Sequence, residues 1–127
     1  MKRLVMLVAA LAAFAIVPVA LAAGGLRGTY ETKLTGSQLG GTWRIVFAHG
    51  KYHVKDNGKP IVHGVFTIKG ADVSFKDTGG RGKCSGTGKY SFRLSGKKLT
   101  FTKIKDSGKG CEGRVAVLTT KPLTKVG

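Results

Sequence analysis

The two cysteines, Cys84 and Cys111, are the residues with the clearest potential for chemistry. A cysteine can act as a nucleophile, a metal ligand or half of a disulfide, but these two are not spaced as C-x-x-C. An even cysteine count in an exported chain is typical of a disulfide. We therefore expect a Cys84–Cys111 bond, which would close a loop of about 28 residues and contribute roughly 3–4 kcal/mol. A reactive or metal-binding thiol pair is the alternative.

The three histidines, His49, His53 and His63, offer a second chemistry. If Asn57–Lys59 forms a three-residue hairpin loop, His53 lies opposite His63 on the outer face of two strands, an arrangement that could hold zinc or copper. No third ligand is evident nearby. We therefore expect exposed histidines, no metal site and no other cofactor.

A glycine-rich segment over residues 79–89 contains two motifs of interest. Gly86-Thr87-Gly88-Lys89 is followed by a tyrosine where a phosphate-binding loop needs Ser or Thr to coordinate magnesium, so this is not a P-loop. Just before it, Arg81 and Lys83 alternate with glycines. We expect these two cations to form an anion-binding loop.

Six acidic residues offer little for general acid–base catalysis, since most are predicted to lie at turns. Asp106 and Glu112 flank the second cysteine and are candidates to pair with Arg114 or with neighbouring lysines. No serine or cysteine has a convincing base beside it. We therefore expect the protein not to be an enzyme.

Residues 1–22 have the organisation of a signal peptide: a basic start, an apolar run, Pro18 and an Ala20-Leu21-Ala22 cleavage site. An uncleaved anchor helix is the alternative, because the apolar run has about the ~20 residues that a membrane span requires. The residue directly after the predicted cleavage site is Ala23 and not a cysteine, which disfavours a lipoprotein. We expect a secreted or periplasmic protein.

Residues 23–127 are predicted to form a single, monomeric domain. They contain 20 basic and six acidic side chains, a formal balance of +14. The chain is too short for a second catalytic lobe, a doubly wound nucleotide-binding fold or a repeat array.

Apolar and polar residues alternate with the period of two that is typical of strands. The pattern predicts an all-β domain of eight strands: Arg27–Leu34, Thr42–Ala48, Lys51–Asp56, Ile61–Ile68, Asp72–Asp77, Lys89–Leu94, Leu99–Ile104 and Arg114–Thr119.

The connections between these strands indicate an antiparallel up-and-down barrel. Short turns join strands 2 to 3, 4 to 5 and 6 to 7, while mostly longer connections, including 57–60, alternate with them. The longer connections fall at one end, together with both cysteines. Pairing strand 1 with strand 8 would remove the two exposed edges.

Residue parity predicts what fills the barrel. All nine aromatic residues after the signal peptide fall on the inward set, and basic residues dominate the outward set. In strand 8 the inward pair is either Val115 with Val117 or Ala116 with Leu118.

These features resemble the calycin superfamily, and within it the small lipocalin-like proteins secreted by bacteria. The resemblance is carried by the export signal, the eight-strand meander, Gly41-Thr42-Trp43, and Arg114 at the start of the final strand. It implies that Arg114 packs over the Trp43 indole as a structural pair, and that the barrel binds a ligand.

We accordingly expect a binding protein that captures a small hydrophobic molecule at the loop-rich end, with rim lysines favouring an acidic headgroup. The expected lining is Trp43, Tyr52, Phe66, Tyr90 and Phe92. A dry core filled by these same rings is the alternative.

The charge supports a second function, a cationic surface that binds anionic envelope polymers or lipid headgroups with the barrel as scaffold. Nucleic-acid binding is disfavoured, because its readers place aromatic rings among outward cations and here the rings are predicted to point inward.

Overall fold

A computed structural model describes residues 25–127, and the predicted signal peptide lies outside the described residues. The elements in chain order are β1 Gly28–Leu34, β2 Gly41–Ala48, β3 Lys51–Asp56, β4 Lys59–Lys69, β5 Asp72–Gly79, β6 Thr87–Ser95, β7 Lys98–Lys105, α1 Glu112–Thr119 and β8 Leu123–Lys125. The strands pair antiparallel in sequence order, and β8 joins β7 to β1. The predicted eight-stranded antiparallel barrel is confirmed.

The barrel interior is built from the inward aromatic side chains, as their parity predicts. All nine are buried: Tyr30, Trp43, Phe47, Tyr52, Phe66, Phe75, Tyr90, Phe92 and Phe101. Phe47 packs edge-on against Phe66 with ring centroids 5.6 Å apart. Phe75 packs against Phe101 at 5.7 Å. Edge-to-face contacts of this kind add to the stabilisation from apolar burial.

The strand predicted over Arg114–Thr119 is wrong, because Glu112–Thr119 forms helix α1. The β-branched residues of this segment favour a strand, but tertiary context overrides that preference. Val117 and Leu118 are adjacent in sequence and both buried. Neighbours in a strand point to opposite faces, so a choice between two strand parities could not describe this segment. The final strand is the shorter β8, and Arg114 lies in the first turn of α1.

Turns and loops segregate to opposite ends of the barrel. Two-residue turns at 49–50, 70–71 and 96–97 form one end, which we call the tight-turn end. The other, the loop-rich end, carries the connections 35–40, 80–86 and 106–122. One connection at the loop-rich end differs from expectation: Asn57 and Gly58 make a two-residue turn with φ of 48° and 80°. Glycine adopts such positive φ values without steric cost, and asparagine tolerates them.

The disulfide and helix α1 close the loop-rich end. Cys84 and Cys111 are bonded, as predicted, and their Cα atoms are 5.0 Å apart. The bond ties the β5–β6 loop to the start of α1. At the other end of the helix, the Lys121 ammonium donates to the carbonyl of Lys33 on β1 at 3.0 Å. Within residues 25–127 no helix has the length and apolarity needed to cross a membrane.

Candidate functional site

An apolar cavity of about 240 Å³ lies inside the loop-rich half of the barrel, beneath helix α1. Its walls come from β2 to β5, the loop-rich connections and the helix. The lining residues are Leu39, Trp43, Ile45, Phe47, Tyr52, Val54, Ile61, Val62, Phe75, Asp77, Gly82, Gly110, Gly113, Arg114, Val117 and Leu118. Asp77 and Arg114 are the charged residues in this set. Together with Asp106, to which Arg114 donates, we call them the ionic corner, so the cavity combines an apolar wall with one charged region.

Trp43 lines the cavity and is held by the β1–β2 loop. Its indole Nε1 donates a hydrogen bond of 2.8 Å to the carbonyl of Leu39 in the β1–β2 loop. Trp43 is the one tryptophan of the chain. Because its ring lines the cavity, its fluorescence can report directly on whether the cavity is occupied.

Arg114 organises the ionic corner. Its Nε and Nη2 donate to the two carboxylate oxygens of Asp106, at 2.7 and 2.8 Å. This two-pronged geometry is the strongest form of an arginine–carboxylate pair. Nη2 also lies 3.4 Å from the Gly86 carbonyl and 3.5 Å from Cys111 Sγ. The pair thus attaches helix α1 to the residue that follows β7.

Asp77 forms the second carboxylate of this corner. Tyr52 donates its hydroxyl to Asp77 Oδ1 at 2.5 Å, and the Cys84 amide donates to Oδ2 at 3.0 Å. Arg114 Nη1 lies 3.4 Å from Oδ1 and makes no hydrogen bond. Asp106 is held in a similar way, since it accepts a hydrogen bond from the Tyr90 hydroxyl. Both carboxylates therefore bridge a barrel tyrosine to the single guanidinium.

The pKa values of Tyr52, Tyr90, Asp106 and Arg114 keep these four groups in their ordinary protonation states. Burial, reinforced by the neighbouring carboxylates, raises the pKa of Tyr52 and Tyr90, so both remain neutral donors. Burial alone would raise the pKa of Asp106, but hydrogen bonds from Arg114 and Tyr90 outweigh it and the pKa falls below 3.8. Burial would lower the pKa of Arg114, and the bonds to Asp106 outweigh it and raise the pKa.

Two glycines make room for these contacts. A Cβ atom on Gly64 would collide with the Tyr52 hydroxyl, and one on Gly88 would collide with the Asp106 carboxylate and the Arg114 guanidinium. In the sequence both glycines precede an aromatic residue by two positions. The close approach of the polar groups gives these positions a specific requirement for glycine.

Of the aromatic residues predicted to bind a ligand, Trp43 and Tyr52 line the cavity. Phe66 and Phe92 lie toward the tight-turn end, where their amides bond to the carbonyls of Gly50 and Ala71 in the turns. The predicted ligand contacts are thus divided between the two halves of the barrel.

Tyr90 is buried in the core with its hydroxyl on Asp106, and it is not among the cavity-lining residues. Trp43 and Arg114 line the same cavity. The polar contacts of the Arg114 guanidinium are made with Asp106, Asp77, Gly86 and Cys111, and not with the Trp43 indole. Their stacking remains a prediction.

Arg81 and Lys83 are exposed on the β5–β6 loop, beside the cavity-lining Gly82. They therefore lie near the mouth of the cavity and not within it. Their role in binding anions remains a prediction.

His53 and His63 are paired across β3 and β4, as expected, with stacked rings whose centroids are 5.7 Å apart. A register shift after Val54 creates this pairing. Within the described part of the chain, no three histidine, cysteine or acidic side chains come together as a metal-binding group.

Asp77 is the member of the ionic corner that sequence reasoning missed. The sequence predicts Asp77 as the last residue of a strand and assigns it no partner, whereas it lies within β5 and shares parity with Val73 and Phe75, both buried. An acidic residue that continues an inward series must be satisfied by buried donors. That parity was the signal in the sequence.

Comparison of the chain with protein-family models, with curated proteins and with solved structures finds no match. The fold and site define the protein as a small closed eight-stranded antiparallel barrel with an apolar cavity under a short helix. This architecture is consistent with a lipocalin-like barrel.

Proposed function

We propose that the protein is an exported, non-enzymatic, lipocalin-like binding protein that takes up a small hydrophobic molecule through the loop-rich end. The observation that carries the proposal is the cavity, whose wall is mostly apolar and includes the Trp43 and Tyr52 rings. Sites for small molecules characteristically combine such walls with a few placed polar groups.

The volume limits the size of the ligand. Common ligand pockets span about 300–1,000 Å³, whereas an apolar cavity of about 150 Å³ is enough to bind benzene. At about 240 Å³ the cavity suits a single-ring or similarly compact molecule. Phe66 and Phe92 are buried toward the tight-turn end, so the size of the cavity favours a compact molecule over a long acyl chain.

The proposal is tested by titrating the protein with toluene while following Trp43 fluorescence. We expect saturable binding that is equal at low and high salt, because apolar contacts are not screened. Val54→Phe, on the cavity wall, should abolish the response. The matched control is Val46→Phe, which adds the same atoms to the exposed outer wall and should leave binding unchanged. No saturable response in the folded wild-type protein would contradict the proposal.

The charge distribution favours a second candidate, a cationic surface for anionic envelope polymers or lipid headgroups. Within residues 25–127, the ion pairs involve three of the 20 basic side chains, namely Arg44, Lys89 and Arg114. The other 17 form no ion pair within these residues, so their charges can attract polyanions. Binding to a polyanion or an anionic vesicle that collapses with salt, with no response to toluene, would favour this candidate.

A further inference from the structure

We infer that the cavity selects an uncharged apolar molecule with one hydrogen-bond acceptor, and that it discriminates against anions of the same size. This inference rests on the proposed function, because it specifies the ligand of the same cavity. It differs from the expectation, drawn from the basic composition, that an acidic headgroup is favoured.

The buried ionic corner has a net negative formal charge. Asp77 and Asp106 carry two formal negative charges, and Arg114 supplies one positive charge. Their side chains retain only 2%, 1% and 9% of their exposure, so water screens these charges poorly. The corner therefore has a net formal charge of −1, and a buried carboxylate ligand would make the net charge −2. Like charges brought together in a desolvated site oppose binding.

Arg114 also has a buried donor that makes no hydrogen bond. Its Nε and Nη2 donate to Asp106, while Nη1 lies 3.4 Å from Asp77 Oδ1 in an ion pair without a hydrogen bond. Leaving such a donor unpaired carries a free-energy cost. A ligand oxygen within reach of this nitrogen removes that cost, whereas a purely apolar ligand does not. Asp77 already accepts from Tyr52 and Cys84, so the corner has less need of a further donor.

The exposed cations do not reverse this preference. Arg81 and Lys83 lie on the exposed loop. Lys103, whose positive charge helps to lower the pKa of Asp106, is exposed as well. Solvent and salt screen such charges. They can raise the local concentration of anions at the mouth, but the unscreened corner acts on the ligand inside. The basic composition therefore favours an anionic ligand, whereas the buried corner disfavours one.

The test compares four probes that share one ring: toluene, benzyl alcohol, benzoate and benzylamine. Affinity is measured by calorimetry on the wild-type protein in moderate salt, with Trp43 fluorescence as a check that the cavity is the site. We expect benzyl alcohol to bind most tightly, and benzoate at least about tenfold more weakly than benzyl alcohol.

The outcomes separate this inference from the function on which it rests. If toluene binds but benzoate or benzylamine binds as tightly as benzyl alcohol, the inference is overturned and the proposed function stands. If toluene and the other three probes all fail to bind, the proposed function is overturned and the inference falls with it.

A pair of variants tests the origin of the selectivity. Asp77→Asn removes one negative charge from the corner. It should reduce the ratio of the benzoate dissociation constant to the benzyl alcohol dissociation constant several-fold. Asp72→Asn changes the net charge of the protein equally, but Asp72 is half-exposed at the tight-turn end beside Lys89, so the ratio should not change. Equal ratios in both variants and the wild type would overturn the charge argument. If Asp77→Asn does not fold, the wild-type probe series decides alone.

Discussion

Arg114 in helix α1 donates two hydrogen bonds, of 2.7 and 2.8 Å, to the Asp106 carboxylate, and this pair holds the helix over the loop-rich end of the barrel. Helix α1 supplies Val117 and Leu118 to the cavity wall. The pair therefore contributes, together with the Cys84–Cys111 bond, to the closure of the barrel and to the shape of the proposed ligand site.

Removing the guanidinium should be strongly destabilising. Arg114→Ala leaves two buried carboxylates without a cation, and we expect a loss of about 3–5 kcal/mol in the free energy of unfolding. Arg44→Ala is the matched control, because it breaks the exposed ion pair with Glu31 and should cost less than about 1 kcal/mol. Urea unfolding of both variants checks the comparison, and equal losses would refute the assigned importance of the buried pair.

Acid should weaken the fold partly through Asp106. Its folded-state pKa lies below the ordinary value, so its contribution to stability is complete above the unfolded pKa of about 4 and is lost as the pH falls through the folded value. We expect the loss of unfolding free energy between neutral and acidic pH to be smaller in Asp106→Asn. Glu112→Gln, at an exposed acid of α1, should retain the wild-type profile.

Breaking the disulfide should cost about 3–4 kcal/mol, the value for a loop of this length in the chain-entropy model. It should also weaken toluene binding, because the Cys84 amide holds Asp77 and the Cys111 sulfur lies beside Arg114. Urea unfolding and toluene titration of the Cys84→Ser/Cys111→Ser double variant, each compared with the oxidised wild-type protein, measure the two effects. Unchanged stability would mean that the bond contributes little to closure.

Two glycine substitutions should act in opposite directions. Gly88→Ala drives a methyl group into the Asp106–Arg114 pair and should cost about 1–3 kcal/mol. Gly113→Ala meets only Leu39, at 3.9 Å, and lies in a helix, so it should gain about 0.5–1 kcal/mol. Thermal unfolding compares the two. A neutral Gly88→Ala would contradict the packing described for the ionic corner.

Much of the barrel was predictable from the sequence because a strand buries alternate residues. Parity alone placed Phe47, Phe75 and the other rings inside, and the spacing of the turns put Cys84 and Cys111 at one end. Seven of the eight strands follow from this reasoning with small differences at their ends.

Helix α1 and the cavity were not predictable, because both depend on contacts between distant segments. The valines near residue 117 favour a strand locally, and the helix results from how this segment packs over the barrel end. Asp106 and Glu112 were both candidates to pair with Arg114, and only the folded chain selects Asp106. A void likewise depends on how completely side chains from many elements fill the interior, which composition does not determine.

The most direct test of the account is a methyl NMR titration of the full protein with toluene. We expect saturable shifts of the Ile45, Val54, Ile61 and Val117 methyl groups, which line the cavity, and none for the outer Val46 and Val65. Shifts confined to the outer methyl groups, or no shifts at all, would contradict the claim that this barrel contains a ligand site.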